Sequence, residues 1–348
     1  MHFGLFVEQM RQGLSQAEAF TETWSLADQA EAWGIDCVWL GEIHFDPVRS
    51  VISASLQVAS SIATRTTRLR IGTAVTVIPL NHPLRIAEEV ATLDHISEGR
   101  VEFGIGRSGV VRSYDAYGIP YGESQGRFRE GLEIIRMAWR GEPFSYEGQF
   151  YKIQNATVTP RPVQSPHPPI RMAANSDETF PQVAKMGLPI FIGLRAAEIP
   201  DLQRHLASYR NAWREAGHSG DPSVYLRIPV YVSTTEKGAV EEPRASLTYF
   251  FERQSRLARS SVGRAGTGPT DRRQAQADRM ANLTYEDILA RKVAFGTAEG
   301  VIDRLKQLRE QLGIDGIVTE LNPGGLIPLD LERRSLQLLT RDVIPAFK

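Results

Sequence analysis

Between residues 69 and 107, the spacing of apolar positions changes from strand-like to helix-like and back again. Residues 69–77 form a β-branched run that is typical of a buried strand. From Leu84, apolar residues recur at helical spacing until Gly99, and glycine commonly ends helices. Residues 100–105 predict a second strand, which runs into Gly104-Ile105-Gly106-Arg107. Ligands bind at the carboxyl ends of strands in parallel sheets and barrels, so these last residues mark a candidate site.

The same alternation of strand and helix patterns repeats along the chain. The predicted strands cover residues 3–7, 37–41, 69–77, 100–105, 170–174, 188–193, 225–232 and 316–321. The predicted helices cover residues 15–33, 51–63, 84–98, 124–140, 176–186, a segment through 209–216, and 328–339. About eight such units in 348 residues favour an α/β fold of the (β/α)8 TIM barrel type. A doubly wound sheet would have to leave eight parallel strands open. We therefore expect a single barrel domain over residues 1–348.

Two stretches interrupt this alternation. Residues 144–160 carry alternating aromatic residues around a Glu147-Gly148 turn, a pattern that predicts a β-hairpin excursion. Residues 252–282 follow the seventh strand, are rich in Arg, Gly and Ser, and contain almost no large apolar residues. Such a composition cannot bury enough surface to fold by itself. It predicts a long mobile loop, which is either a lid over the barrel or a plain surface insertion.

The composition narrows the classes of partner and location. The chain is 42% hydrophobic and 23% charged with a formal net charge of −1, which argues against nucleic acid or a membrane surface as partner. No apolar run approaches the roughly 18 to 20 residues that span a bilayer, and no signal-like segment opens the chain. The single cysteine, Cys37, lies in an apolar run and is expected to be buried and inert. We expect a cytoplasmic protein without a metal site.

Three groups of residues are candidates for binding a phosphate. Arg127 and Arg129 stand at the start of a predicted helix, where cations are unfavourable by some tenths of a kcal/mol unless an anion is bound. Ser176 and Thr179 place two hydroxyls on the first turn of another helix, and Arg107 follows a glycine-containing strand end. Taken singly, these residues are equally consistent with solvent-exposed arginines and an ordinary helix cap. Because a barrel brings the ends of its strands to one face, together they predict a phosphate pocket.

A histidine follows the second predicted strand. His44, in Glu42-Ile43-His44-Phe45, is a candidate acid/base or hydrogen-bond donor, although a structural role is about as consistent with its position. Glu42 and His44 do not predict a metal site, since no third ligand has suitable spacing. The chain contains no Gly-x-Ser-x-Gly elbow and no Walker loop.

Long stretches of the chain resemble the bacterial luciferase-like, flavin-dependent monooxygenases. They are VWLGEIHF, RIGTAVTVIPLNHPLRIAEEVATLDHISEGRVEFGIGR and the tail FGTAEGVIDRLKQL…GIDGIVTELNPGG, and the resemblance runs from Met1 to Phe347. It implies a (β/α)8 barrel that binds a reduced flavin, usually FMN, at its C-terminal face. It also implies a homodimer built on the second and third helices and a mobile lid after strand seven, which coincides with residues 252–282.

The resemblance also assigns roles to individual positions. The phosphate contacts would come from Arg107, Arg127, Ser176 and Thr179. Ala74 and Val75 match the place where an unusual cis peptide supports the isoalloxazine ring. Gly106 replaces a cysteine that lies near the flavin in luciferase, and would leave room there.

Three departures from luciferase limit what the resemblance implies. The family's Glu-His-His-Phe is Glu42-Ile43-His44-Phe45 here, so His44 matches the second histidine and is the candidate catalytic residue. Asn175, counted with the cofactor-binding residues, stands where luciferase has a glutamate, and Val110 stands where it has a tyrosine. Light emission from an aldehyde is therefore not expected, whereas flavin binding is.

The predicted function is that of a two-component monooxygenase. A separate flavin reductase would supply reduced FMN (FMNH2), and the protein would use it with O2 to oxygenate a small organic substrate. Two alternatives remain open from the sequence. One is an F420-dependent oxidoreductase on the same barrel, which moves hydride without oxygen, and the other is a non-catalytic flavin-binding protein.

Overall fold

The computed structural model describes residues 1–8, 10–263 and 270–348, except the side chains of residues 270–273 and 276. The strands are β1 (His2–Val7), β2 (Cys37–Leu40), β3 (Arg70–Thr73), β4 (Thr76–Val77), β5 (Val101–Gly106), β6 (Phe144–Glu147), β7 (Lys152–Ala156), β8 (Ile170–Ala173), β9 (Ile190–Gly193), β10 (Val224–Val232), β11 (Ala294–Gly296) and β12 (Gly316–Glu320). The helices are α1 (Gln16–Trp33), α2 (Ser55–Ala63), α3 (Pro83–Ile96), α4 (Val111–Ala116), α5 (Ser124–Ala138), α6 (Thr179–Lys185), α7 (Ile199–Glu215), α8 (Glu236–Glu241), α9 (Arg244–Ser260), α10 (Thr270–Ala281), α11 (Tyr285–Arg291), α12 (Ala298–Leu312) and α13 (Leu329–Leu338).

Eight of the described strands close into a parallel barrel. The order is β1–β2–β3–β5–β8–β9–β10–β12, and β12 pairs with β1 to complete the ring. β4 continues the edge of β3 along β5, and β11 adds to the far end of β10. β6 and β7 form a separate antiparallel hairpin. The (β/α)8 barrel and the hairpin excursion predicted from the sequence are therefore confirmed.

Local signals explain where many of the helices begin and end. Ser15 and Glu18 cap each other reciprocally at the start of α1, and Gly34 ends that helix in a left-handed conformation with φ of 80°. The sequence pattern placed other boundaries less well. α2 begins at Ser55 rather than at residue 51, and α6 begins at Thr179 rather than at Ser176. The short strand β11 and the helix α12 had no counterpart among the predicted elements.

The interior of the barrel is filled below its C-terminal end by an aromatic cluster around Trp39. The Trp39 ring occupies the space in which Gly4 and Gly72, on the two neighbouring strands, would carry a Cβ. The rings of Phe191 and Tyr225 meet Trp39 edge-on at 4.9 and 6.2 Å. Because side chains fill this level of the barrel, a ligand can enter only above it, at the carboxyl ends of the strands.

Residues 252–282, predicted as a long mobile loop, are helical over most of their described length. Residues 252–260 complete α9 and residues 270–281 form α10, whereas residues 264–269 of the predicted loop lie outside the described residues. Ser255 Oγ donates to the Ala277 carbonyl at 3.4 Å, and Arg259 pairs with Asp278 at 3.5 Å. Small residues let α9 and α10 approach each other closely, so the two helices can pack together with few large apolar side chains. Movement of this segment as a lid stays a prediction.

Two further observations concern the cysteine and the apolar character of the helices. Cys37 is fully buried, as expected, and burial raises the pKa of its thiol. Within the described part of the chain, no helix is long and apolar enough to cross a bilayer.

Candidate active site at the barrel mouth

A cavity of about 520 Å³ opens at the C-terminal end of the barrel. Its volume lies in the range of small-molecule sites. The wall combines loop residues that follow β3, β8 and β9 with the end of β12. They include Ala74, Val75, Asn175, Phe191, Arg195 and Glu320. Strand ends therefore supply both apolar and charged groups to one cavity, as the barrel fold predicts.

The residues predicted to contact the flavin ring, Ala74 and Val75, lie between β3 and β4. The peptide bond between Ala74 and Val75 is cis, and both residues line the cavity. The structure differs from the expectation about Gly106, because the space beside this glycine is not open. A Cβ built on Gly106 would lie 2.4 Å from Val75 Cγ2, so Val75 already fills that space. Gly106 thus determines how deeply Val75 packs, and any larger residue would displace it.

Arg107 and Arg127 each contact a residue at the start of α5, and neither lines the mouth cavity. Arg107 Nη1 donates to Ser124 Oγ at 2.9 Å, and its guanidinium lies 5.3 Å from the Tyr121 ring centre. Arg127 Nη2 pairs with a carboxylate oxygen of Glu123 at 2.8 Å. Glu123 and Ser124 were not among the predicted site residues. Their signal, a glutamate and a serine at the start of a helix, is common and points mainly to capping.

Arg129, the other cation near the start of this helix, is exposed. Among the described residues it has neither an ion-pair partner nor a side-chain hydrogen bond. The sequence left two interpretations of Arg129 open, phosphate binding and simple solvent exposure. The structure agrees with solvent exposure.

The second pair of predicted phosphate ligands opens α6. Ser176 Oγ and Thr179 Oγ1 lie 2.7 Å apart, and Thr179 N donates to the Ser176 carbonyl. These residues follow β8, which pairs with β5 so that Met172 lies opposite Ile105. The two hydroxyls and Arg107 therefore follow adjacent strands. The preceding residue, Asn175, lines the cavity itself.

His44, which follows β2, belongs to a hydrogen-bonded chain and is not among the residues that line the mouth cavity. Its Nε2 lies 2.9 Å from Glu42 Oε1, and its Nδ1 lies 3.2 Å from the Tyr117 hydroxyl. Glu42 also accepts the backbone N–H of Val77 at 3.3 Å, which ties the chain to the segment after the cis peptide. Burial and the charge of Glu42 raise the pKa of Tyr117. With Nε2 protonated, His44 donates to Glu42 and accepts from Tyr117, so the three groups can hold or pass one proton.

A buried network of charges that the sequence did not predict lies at the same end of the barrel. Glu8, just after β1, accepts Arg49 Nε at 2.6 Å and pairs with Arg227 Nη2 at 3.3 Å. Arg227 also pairs with Glu320 at the end of β12 and stacks on the Phe6 ring at 3.6 Å. Although burial opposes ionisation, Arg49 and Arg227 lower the pKa of Glu8 to about 2. Acidic residues at the ends of apolar strands were the available signal for this network.

Across residues 1–8, 10–263 and 270–348, no three His, Cys, Asp or Glu side chains are placed to hold an ion together.

Known proteins resemble this chain over most of its length. The family model for luciferase-like monooxygenases matches residues 1–316. Over its full length, the chain is 26% identical to the oxygenase component of flavin-dependent trigonelline monooxygenase from Acinetobacter baylyi, of which the match covers 96%. It is 37% identical to the uncharacterized protein y4wF of Sinorhizobium fredii over 53% of the chain, and it spans about half (54%) of that relative.

A solved structure shows the same fold. The oxygenating constituent of 3,6-diketocamphane monooxygenase, from the CAM plasmid of Pseudomonas putida and in complex with FMN, superposes with a TM-score of 0.83. This similarity covers 99% of the chain and 98% of that structure at 22% identity, a level that shows the fold alone. The F420-dependent glucose-6-phosphate dehydrogenase of Kineococcus radiotolerans is 36% identical over 40% of the chain and 42% of that protein.

Proposed function

Because the chain belongs to the luciferase-like monooxygenase family, we propose that it is an oxygenase component that uses reduced FMN and O2 to oxygenate a small organic substrate. A separate flavin reductase would supply the reduced FMN. The observation that supports this proposal is that four candidate phosphate ligands follow the adjacent strands β5 and β8, at the end of the barrel where the mouth cavity opens. They are the guanidinium groups of Arg107 and Arg127 and the hydroxyls of Ser176 and Thr179.

These groups fit a flavin mononucleotide. Arginine forks and hydroxyls near a helix N-terminus bind phosphate, and α5 offers its N-terminal end beside Arg107. The adjacent cavity has Ala74, Val75 and the Phe191 ring in its wall, which suit the faces of an aromatic ring system. When bound, reduced FMN would supply the electrons for O2 activation.

The chain's own residues then have three tasks. Apolar side chains around the cavity exclude water from the reacting groups. The Glu8–Arg49–Arg227–Glu320 network supports the floor of the cavity through Arg227 and Glu320, which line it. His44, held between Glu42 and Tyr117, can hold a proton at Nε2 or move it along this chain.

The relatives support a separate flavin reductase as the partner, and they leave F420 as an alternative cofactor. The trigonelline monooxygenase relative is the oxygenase component of its system, which motivates the proposal of a separate reductase here. The F420-dependent relative keeps a hydride-transferring F420 enzyme as a second candidate. The homodimer over α2 and α3, the cytoplasmic location and the lid role of residues 252–282 stay predictions.

Anaerobic titration with reduced FMN and, separately, with reduced F420 tests the choice of cofactor. We expect reduced FMN to bind with micromolar affinity or tighter, because two guanidinium groups and two hydroxyls are available for its phosphate. Reduced F420 should bind more weakly. Tighter binding of F420 would contradict the proposal, and so would oxygen consumption that yields only hydrogen peroxide with every candidate substrate, since a storage protein would behave in that way.

A further inference from the structure

Arg195 is an unpartnered cation in the wall of the mouth cavity. It follows β9 and also borders a second cavity of about 510 Å³, so that it lies where the two cavities adjoin. Within the described ranges its guanidinium makes no hydrogen bond and no ion pair. Burial, together with the positive charge of Arg227, lowers the pKa of Arg195 to about 10. At neutral pH the group is still charged, and although the charges of Glu320 and Glu8 act on it, it forms no ion pair among the described residues.

Most other cations around the two cavities have acidic partners. Arg204 pairs with Asp201 at 2.6 Å, and Lys292 pairs with Glu198 at 2.7 Å. Arg279, on α10, is different. It also lines both cavities, and in the part of the chain that the structure describes it has no ion-pair partner. Two guanidinium groups without an ion-pair partner in the described part of the chain therefore border the junction of the cavities.

Four phenylalanines make part of the wall of the mouth cavity suited to an apolar body. Phe180, Phe191, Phe250 and Phe251 all belong to its wall. A charged group in a cavity wall is unfavourable without a counter-ion, and an arginine fork matches a carboxylate in geometry and charge. A ligand with an aromatic or aliphatic body and one carboxylate would satisfy both parts of the wall at once.

We propose that the substrate of this protein is a small monocarboxylate whose carboxylate binds Arg195 and Arg279 while its apolar body lies among the four phenylalanines. This inference rests on the proposed function, because it assumes that the flavin phosphate occupies the separate group at Arg107 and Arg127. The second cavity, with Arg291 and Lys292 in its wall, would then attract the anion on its way to the first.

The test is a calorimetric titration of the FMN-loaded protein with three acids and their neutral amides. Benzoate, phenylacetate and hexanoate are the acids, and benzamide, phenylacetamide and hexanamide are the matched probes. At least one acid should bind about 10- to 100-fold more tightly than its amide, the range expected for hydrogen bonds to a charged group. Arg195→Gln should abolish that preference, and Arg279→Gln should reduce it without disturbing the barrel, because Arg279 is exposed.

Arg204→Gln is the matched control, because it removes a charge from the same cavity wall but from a residue that is already paired. It should keep the preference for the acid. Equal binding of acids and amides by the wild type would overturn the inference, as would a preserved preference in Arg195→Gln. Loss of FMN but not riboflavin affinity in Arg195→Gln would assign the guanidinium to the flavin phosphate instead. If the wild type binds no FMN at all, the proposed function fails first, and the two failures are thus distinguishable.

Discussion

Replacing Arg227 with methionine is expected to lower the free energy of unfolding by about 3–5 kcal/mol, the cost of removing one member of a buried ion network. Arg227 pairs with both Glu8 and Glu320, whose side chains are 3% and 9% exposed. Without Arg227, Glu320 loses its described ion-pair partner, whereas Glu8 keeps its ion pair with Arg49. Urea unfolding at neutral pH measures the effect.

The matched control is Arg204→Met, which breaks an ion pair whose arginine side chain is 69% exposed. Exposed pairs contribute up to about 1 kcal/mol, so this variant should unfold close to the wild type. Adding Glu320→Gln to Arg227→Met should restore part of the loss by removing the unpaired carboxylate. Equal effects of the two arginine replacements would contradict the account of the network.

Acid unfolding gives the same network a second readout. The pKa of Glu8 falls from 4.5 to about 2 on folding, so the folded state holds this proton less readily than the unfolded chain. The stabilisation is therefore complete above about pH 4.5 and is lost as the pH falls towards 2. In Arg227→Met the loss should still begin near pH 4.5, but it should be smaller and finish at a higher pH, because one of the cations that lower the pKa of Glu8 in the folded state is gone.

Replacing Arg107 or Arg127 with alanine is expected to weaken FMN binding by about 10- to 100-fold each, as the loss of a charge-assisted hydrogen bond predicts. Riboflavin has no phosphate, so its affinity should stay close to that of the wild type. Arg127 is already paired with Glu123, and its removal would leave that carboxylate near the phosphate. Arg127→Ala should therefore lose more FMN affinity than the double variant Arg127→Ala with Glu123→Gln.

Arg129→Ala is the matched control for this prediction. Arg129 lies on the same helix two residues beyond Arg127, but it is exposed and has no described partner. Its removal should leave FMN affinity nearly unchanged. If all three alanine variants lose the same affinity, or if riboflavin binding falls with FMN binding, the phosphate does not bind where we propose.

The barrel could be predicted from the sequence because its signals are local. The β-branched runs, the Ser15–Glu18 capping box and the stop at Gly34 each act within a few residues, and they repeat often enough to define the fold. The hairpin at 144–160 was predicted for the same reason. The strand β11 has only three residues, which is too short for a periodic pattern to identify.

The part of the site that was not predicted from the sequence depends on contacts between residues that are distant along the chain. Glu8 reaches Arg49 across 41 positions and Arg227 across 219, so the pairs exist only once the barrel closes. That Arg195 forms no ion pair with any described residue is likewise visible only in the folded structure. α10 was predicted as loop because its packing on α9 uses small residues such as Ala277, which do not form an apolar stripe.

The central claim is that this protein activates O2 with reduced FMN. Its most direct test is rapid mixing of the anaerobic complex of protein and reduced FMN with oxygenated buffer, followed by absorbance. We expect a transient spectrum that differs from those of reduced and oxidised FMN, and we expect it to outlast the oxidation of free FMN because the cavity excludes water. Oxidation at the rate of free FMN, with no transient, would contradict the claim.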